Sequence, residues 1–272
     1  IYETCTKLKR RQDFSAIISN AGTCRYLALA LGTIMALIIY SLYGLTVLAW
    51  FAVLPRICET ITSMFFVEPL ANSPKVSSLQ MLKNSIKCFK ASKKLRQISA
   101  LQVFDESLYW TNLGINSLYF QTLVPLWVIN IATFINHILS ALGYAAFKKF
   151  RKLNMFKILT FSSWIEAGFG IITIIVNSVL SPFIWGLASF FQYFKRPAKI
   201  TVIQHELSPH QRATMGSMIS LLSGISSGIC MYLVGLIADY TSIYVGFSIL
   251  ICGKIILGYF YSALTRKYAH KR

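Results

Sequence analysis

A face of polar side chains runs along the apolar stretch at residues 97–120. Its members lie four, seven, eleven and fourteen residues after the first, which is the spacing of one α-helical face: Asp105, Tyr109, Asn112, Asn116 and Tyr119. Carboxyl, phenol and amide groups placed in this way can bind a polar solute or carry a proton, but each is costly in lipid unless it faces protein or water. The pattern predicts either a polar cavity or hydrogen bonding between packed helices.

Two further polar faces occur in other apolar stretches. One comprises Asn130, Thr133, His137, Ser140 and Tyr144, and the other comprises Trp185, Ser189, Gln192 and Arg196. Three long faces exceed what hydrogen bonding in a packed bundle usually requires, so we expect them to line one aqueous cavity. The residues expected in this solute cavity are Asp105, Tyr109, Asn112, Asn116, Asn130, His137, Gln192 and Arg196. We interpret His137 as a hydrogen-bonded bundle residue, with a proton relay as the alternative.

Acidic side chains inside the apolar stretches are candidates for coupling to a proton or cation. Asp105 is the first candidate and Glu106 the second, because a carboxyl in apolar surroundings can be tuned to exchange a proton. The alternative is that Asp105 lies in a cytoplasmic vestibule and stays ionised. Two other pairs of opposite charges are predicted to be structural: Glu166 with Lys254, and Arg56 with Glu59.

The stretches that carry these faces are long enough to cross a lipid bilayer. A spanning helix needs about 20 apolar residues, and eight such runs occur, at 22–42, 45–67, 97–120, 123–147, 156–176, 180–203, 209–238 and 242–264. Charged residues make up only 13% of the chain, against about 25% in soluble domains. Because the runs are continuously apolar, they predict an all-α polytopic membrane protein with about eight transmembrane helices.

Basic residues fall in every second gap between these runs. The gaps at 1–25, 70–96, 148–157, 195–212 and 266–272 are rich in Lys and Arg, whereas those at 40–46, 119–123, 177–182 and 239–246 contain none. Positive loops stay on the cytoplasmic side, so we expect both ends of the chain there. The net charge of +18 is spread over short loops on one membrane face, which favours lipid headgroups over nucleic acid as its partner.

The predicted organisation has five parts. These are a cytoplasmic loop at 1–21, two spanning helices at 22–68, a central cytoplasmic loop at 69–96, a six-helix domain at 97–265 and a basic tail at 266–272. Within the central loop, apolar residues recur at helical spacing at Val76, Leu79, Leu82, Ile86 and Phe89. This pattern predicts a basic amphipathic helix on the membrane surface, with a solvated linker as the alternative. Since the chain starts with a basic polar segment and Ile1 rather than Met, we expect upstream helices to be missing.

Two segments carry a resemblance to a known family. Segment 208–239 contains a Ser/Pro turn, an Arg-Ala-Thr triplet, a helix rich in small residues and a closing Gly-Leu-x-Ala-Asp, here Ser208, Pro209, Arg212, Ala213, Thr214, Gly235, Leu236, Ala238 and Asp239. The first segment has Tyr2 and Glu3, then KRRQDF, and two runs that end at Glu68 and Pro69. Together they resemble helices five to twelve of bacterial major facilitator superfamily transporters. The resemblance implies a helical bundle of that type, truncated at its N-terminus, in which the central loop separates two halves.

A further motif of that superfamily, Gly-x-Leu-Ala-Asp-Arg-x-Gly-Arg-Arg, is degraded at residues 143–152. Gly143, Lys148 and Arg151 match it in kind, but Phe147 replaces the acid and Phe150 replaces the second glycine. An acid at that position could clasp a neighbouring helix end, so the departure puts such a salt bridge in doubt. The alternative interpretation is a plain positively charged cytoplasmic loop.

Small residues recur every four positions in the run at 209–238. They are Gly216, Ser220, Gly224 and Gly228, and such a face lets another helix backbone approach closely, either as a sliding contact or as static packing. Ser208 is suited to cap the start of this helix, and Pro209 suits its first position. The residues expected to act in the motif or in conformational change are Gly143, Lys148, Arg151, Ser208, Arg212, Gly224, Gly228 and Asp239.

The resemblance implies a secondary active transporter that moves a small solute by alternating access, coupled to a proton or cation. We expect a monomer in a bacterial cytoplasmic membrane. The chain contains no Walker-type phosphate loop and no His, Cys or carboxylate cluster at metal spacing. We therefore expect no enzyme activity, no cofactor, no metal and no nucleic-acid partner. The alternatives are a degenerate fragment without transport activity and a membrane-embedded lipid-handling protein.

Overall fold

The computed structural model describes residues 2–65, 78–207 and 209–268, and every long regular element in these ranges is an α-helix. The helices are α1 (Tyr2–Lys7), α2 (Phe14–Phe51), α3 (Val53–Met64), α4 (Ser78–Ala91), α5 (Lys93–Gln121), α6 (Leu126–Phe150), α7 (Met155–Val176), α8 (Ser181–Glu206), α9 (Pro209–Tyr240) and α10 (Ile243–Tyr268). Five segments are long and apolar enough to cross a membrane: α2 with α3, α6, α7, most of α9, and α10. Long apolar helices of this kind indicate an integral membrane protein.

The six runs predicted after residue 96 correspond to α5–α10, with ends that differ by a few residues. Two of these helices, α5 and α8, are not among the five candidate spans. Both carry charged and polar side chains on a buried face, including Asp105, Lys195 and Lys199, and these lower the hydropathy of the helix. The count of eight spanning helices therefore stays a prediction.

The first two predicted runs meet at a bend. Gly44 has a φ of 75° inside α2, a conformation that glycine adopts without the steric cost that a side chain brings. Leu37, before the bend, and Pro55, after it, line the same cavity, although a straight helix would separate them by about 27 Å. The chain therefore folds back at Gly44, which lies within the gap predicted at 40–46.

The segment predicted as a loop at 1–21 is largely helical where the structure describes it. It holds α1, a 3-10 turn at Arg11–Asp13 and the first residues of α2. Tyr2, Cys5 and Phe14 form a small buried cluster, against which Ile200 of α8 packs. This cluster anchors the start of the chain to the main bundle. Its cytoplasmic location stays a prediction.

The main bundle is held by α8, which packs against both α6 and α7, while α10 packs against α5 and α7. Gly143 permits the closest approach between α6 and α8, because a Cβ atom there would overlap the Phe190 carbonyl oxygen. Phe147, which stands where the family motif has an acid, is fully buried and forms an edge contact with Phe194. The aromatic side chain of Phe147 therefore contributes to core packing at the position where the family motif has an acid.

The prediction of a helix in the central loop and the prediction of a close contact at α9 have different outcomes. The helix expected in the central loop is confirmed at α4, where Phe89 packs against the core; Val76 lies outside the described residues. The close helix contact expected at the small-residue face of α9 is not found, since a Cβ atom at Gly216, Gly224 or Gly228 would meet nothing within 4 Å. The face that α9 buries carries Met215, Ile219 and Val234 instead. Larger side chains fill this interface, so it does not need glycine.

Candidate functional site

A cavity of about 390 Å³ lies between α2, α5, α6 and α8. The three polar faces identified in the sequence contribute to its wall, together with aromatic side chains: Tyr26, Tyr109, Trp110, Asn112, Asn116, Thr133, Asn136, His137, Trp185, Ser189, Gln192 and Tyr193. The bend at Gly44 does not reach this cavity, but Arg25 and Tyr26 of α2 do. Elements from both sides of the central loop thus enclose one polar space.

Hydrogen bonds fix part of this wall and leave one donor open. The Tyr193 hydroxyl donates to the Tyr109 hydroxyl at 2.9 Å. When the Asn116 amide is oriented by its hydrogen bonds, its oxygen accepts from Trp185 Nε1 at 2.7 Å. Asn112 is only 4% exposed, and its Nδ2 has no hydrogen-bond partner in the part of the chain that the structure describes. A buried amide nitrogen without a partner is costly unless a water or ligand accepts from it.

Aromatic rings cluster around Tyr26 and Tyr193 in the wall of the cavity. The ring centroid of Tyr26 lies 4.3 Å from that of Tyr193 and 5.9 Å from those of His137 and Tyr144. Close to them, the Arg196 guanidinium lies over the Tyr109 ring at 5.2 Å. Such rings provide flat apolar surfaces and an attraction for cationic groups.

A buried ion network adjoins this cluster of rings, because Arg196 belongs to the network and lies over the Tyr109 ring. It contains three carboxylates, Asp105, Glu106 and Glu166, and four basic side chains, Lys195, Arg196, Lys199 and Lys254. The shortest contacts join Lys254 Nζ to Glu166 Oε1 at 2.5 Å, Lys195 Nζ to Glu166 Oε2 at 2.7 Å, and Lys199 Nζ to Glu106 Oε1 at 2.8 Å. With every group ionised, the network retains one formal positive charge.

Asp105 is the centre of this network, and neither it nor Arg196 lines the cavity, although both were predicted there. The Asp105 side chain is 2% exposed and lies 2.9 Å from Lys199 Nζ, 3.3 Å from Lys195 Nζ and 4.0 Å from Lys254 Nζ. The other prediction, that Glu166 pairs with Lys254, is confirmed, as is the exposed pair of Arg56 Nη1 with Glu59 Oε2 at 2.8 Å.

Lys195 and Lys199 were missed as site residues because they were assigned to a cytoplasmic gap at 195–212. They lie within α8, and Lys195 is 1% exposed. The sequence did hold a signal, since Lys195 and Lys199 are four residues apart and so share a face of the run predicted at 180–203. Tyr26 and Arg25 were missed because the first run carries no polar face of its own.

The other predicted residues are dispersed. Asn130 lines a second cavity, the one beside the bend at Gly44, and does not reach the first cavity. Arg151 Nη1 pairs with Asp13 Oδ1 at 3.3 Å. The motif at 143–152 has Phe147 in place of its acid, and the acid that pairs with Arg151 comes instead from near the start of the chain. Arg212 donates to the Leu207 carbonyl oxygen at 2.9 Å. Lys148 and Asp239 are exposed at helix ends, and Ser208 lies outside the described residues.

Metal binding and known relatives give no further assignment. Among the described residues, no group of three or more His, Cys, Asp or Glu side chains is placed to hold a metal ion. No family model, no curated protein and no solved structure matches the chain. The chemistry of the site therefore rests on its own residues.

Proposed function

We propose that the chain is part of a multi-pass secondary transporter, which moves a small polar solute across a membrane by alternating access. The observation that carries this proposal is the cavity of about 390 Å³, whose wall combines amide, phenol and indole groups contributed by four long helices. Its volume falls in the range of about 300–1,000 Å³ that small-molecule sites occupy. Polar side chains held at this depth in apolar helices are costly and mark solute pathways.

The arrangement of helices supports the alternating part of the proposal. One wall of the cavity comes from α2, before the central loop, and the other walls come from α5, α6 and α8 after it. A solute between two such units is released when one unit rocks against the other. The segment 208–239 and the first segment of the chain add a resemblance to the major facilitator superfamily, and a bacterial cytoplasmic membrane is the location that this resemblance implies.

Coupling to a proton or cation is part of the proposal, and the ion network is its candidate site. Asp105 is a poor carrier, because a proton on its carboxyl would leave Lys195 and Lys199 facing each other without it. Glu106 is the better carrier, since its side chain is 13% exposed and its partner Arg196 contacts the cavity residue Tyr109. Release of Glu106 from Arg196 would connect solute binding in the cavity to the protonation of Glu106 in the network.

The test is a binding and uptake screen on the purified chain in lipid vesicles. Amino acids, sugars, organic acids and amines are ranked by the rise in unfolding temperature that they cause, and the best ligand is then followed by uptake of its radiolabelled form. The Asn112→Leu variant, which places an apolar group in the cavity, should lose binding. The matched Asn20→Leu variant, at an exposed position of α2, should retain it.

Transport requires that the bound solute also crosses the membrane. Uptake that saturates and that the Asn112→Leu change abolishes supports the proposal, and collapse of accumulation by a protonophore assigns the coupling ion. A ligand that binds the cavity but never enters the vesicles contradicts transport and supports the alternative, a fragment without transport activity. Binding that is unaffected by the Asn112→Leu change rejects the cavity as the site.

A further inference from the structure

We propose that the cavity selects a singly charged organic anion with a flat apolar body, and that Arg25 is the counter-ion for its charge. This inference rests on the proposed function and adds the charge class of the solute. It begins from the charges on the cavity wall. Arg25 is a fully charged side chain there, and no Asp or Glu is among the described residues that line the cavity.

Arg25 has no carboxylate partner among the described residues. It is an exposed side chain of α2. Other cations near the cavity differ in this respect, because Lys195 and Lys199 are each held by two carboxylates and Arg196 lies 3.6 Å from Glu106. A guanidinium presents a planar fork of donors that matches a carboxylate.

The position of Arg25 along the helices makes an unpaired charge costly. Its neighbour Tyr26 contacts His137, which lies about midway along α6, and Tyr193, which lies about midway along α8. The backbone of α2 at Arg25 is therefore level with the helix midpoints, and an arginine that starts from that level in a membrane needs water or an anion as its partner. A bound anion meets this need directly.

The surroundings of the cavity favour the same charge. The adjoining network retains one formal positive charge when all its members are ionised, and an excess of positive charge beside a low-dielectric cavity attracts anions into it. Asn112 Nδ2, which has no partner in the wall, is a second donor suited to an anionic oxygen. Trp110, Trp185 and Tyr109 supply flat surfaces for an apolar body.

The experiment compares benzoate with benzamide and benzylamine, which share the ring and differ in charge. Binding to the full chain in detergent is measured by calorimetry at about pH 7. We expect benzoate to bind at least about tenfold more tightly than benzamide, and benzylamine to bind least, since one charge-assisted pair contributes about 1.5–3 kcal/mol. The Arg25→Gln change should weaken benzoate binding at least about tenfold and leave benzamide binding unchanged, which also reports that the variant is folded.

Two further variants separate the role of Arg25 from net charge. Arg25→Lys should retain part of the preference for benzoate, because the charge remains while the planar fork of donors is lost. Arg266→Gln removes one positive charge from an exposed position at the end of α10 and should change nothing. Tighter binding of benzamide or benzylamine, or benzoate binding that Arg25→Gln leaves unchanged, overturns the anion proposal while a cavity that binds solutes still supports transport. Absence of binding by all three ligands overturns the anion proposal as stated, and the uptake screen then decides the proposed function separately.

Discussion

Replacing Glu166 with glutamine keeps the size of the side chain but removes the charge that two buried lysines share. Glu166 is 1% exposed, and its carboxylate oxygens contact Lys195 Nζ at 2.7 Å and Lys254 Nζ at 2.5 Å. After the change, Lys195 still has Asp105 at 3.3 Å and the Ser163 hydroxyl at 3.2 Å. Among the described residues, Lys254 then has Asp105 as its one charged partner, at 4.0 Å. A buried ammonium group is thus left with one distant carboxylate, and a neutral amide takes the place of the close one.

The magnitude follows from this stranded charge. Removing one partner of a buried ion pair costs about 3–5 kcal/mol, and for a chain of this size each kcal/mol corresponds to about 2–4 °C in unfolding temperature. We therefore expect Glu166→Gln to lower that temperature by on the order of 10 °C. Lys254→Met should cost less, about 1–2 kcal/mol, because Glu166 keeps Lys195 and the network loses its surplus positive charge.

The assay is thermal unfolding of the purified variants in one detergent, with the double variant Glu166→Gln, Lys254→Met included. The double variant should be more stable than the sum of the two single losses predicts, because no lysine is left without its partner. The matched control is Glu59→Gln, which breaks an exposed pair with Arg56 and should cost under about 0.5 kcal/mol. A loss in Lys254→Met equal to or larger than that in Glu166→Gln would refute the reasoning.

Two further predictions concern helix packing and the start of the chain. Gly143→Ala should destabilise the chain by about 1–3 kcal/mol, because its Cβ would overlap a backbone carbonyl of α8, whereas Gly224→Ala, which faces open space, should be neutral or stabilising in the same thermal assay. The hydrogen bond from Arg10, with the charges of Arg10 and Arg151, holds the pKa of Asp13 below its usual value, so its contribution is complete above the pKa of the unfolded chain and is lost as the pH falls through the lower folded pKa. The difference in unfolding temperature between the wild type and Asp13→Asn should therefore shrink as the pH falls below about 4, and a difference that grows on acidification would contradict this assignment.

Helix positions were predictable because each predicted spanning helix is a long, continuous run of apolar residues, the composition that contact with lipid or with a helical core requires. The runs from residue 97 onward correspond to α5–α10, and even the reversal in the first two runs is marked by the gap that holds Gly44. The interface of α9 was not predictable in the same way. Glycines every four residues permit a close contact but do not create one, and α9 packs through Met215 and Ile219 instead.

The cavity was easier to predict than the ion network beside it. Polar faces at helical spacing identified Tyr109, Asn112 and Gln192 without any knowledge of which helices are neighbours. The network required that knowledge, because Asp105 and Lys195 are ninety residues apart in the chain and meet only where α5 packs against α8. A lysine near a predicted boundary also has two interpretations, a loop charge or a buried ion, and only packing decides between them.

Helix α8 connects the two parts of the site and explains how one could influence the other. Its first half places Gln192 and Tyr193 on the cavity, and its second half places Lys195 and Lys199 in the network. Pro197 lies inside the helix, between the two lysines of the second set. Because proline has no N–H, it cannot donate to the carbonyl of Tyr193, and the backbone is weakened where the two halves join. A solute that displaces Tyr193 would therefore move the cavity half of α8 relative to its anchored lysines, and the contact of Arg196 with Glu106 is the first that such a motion would change.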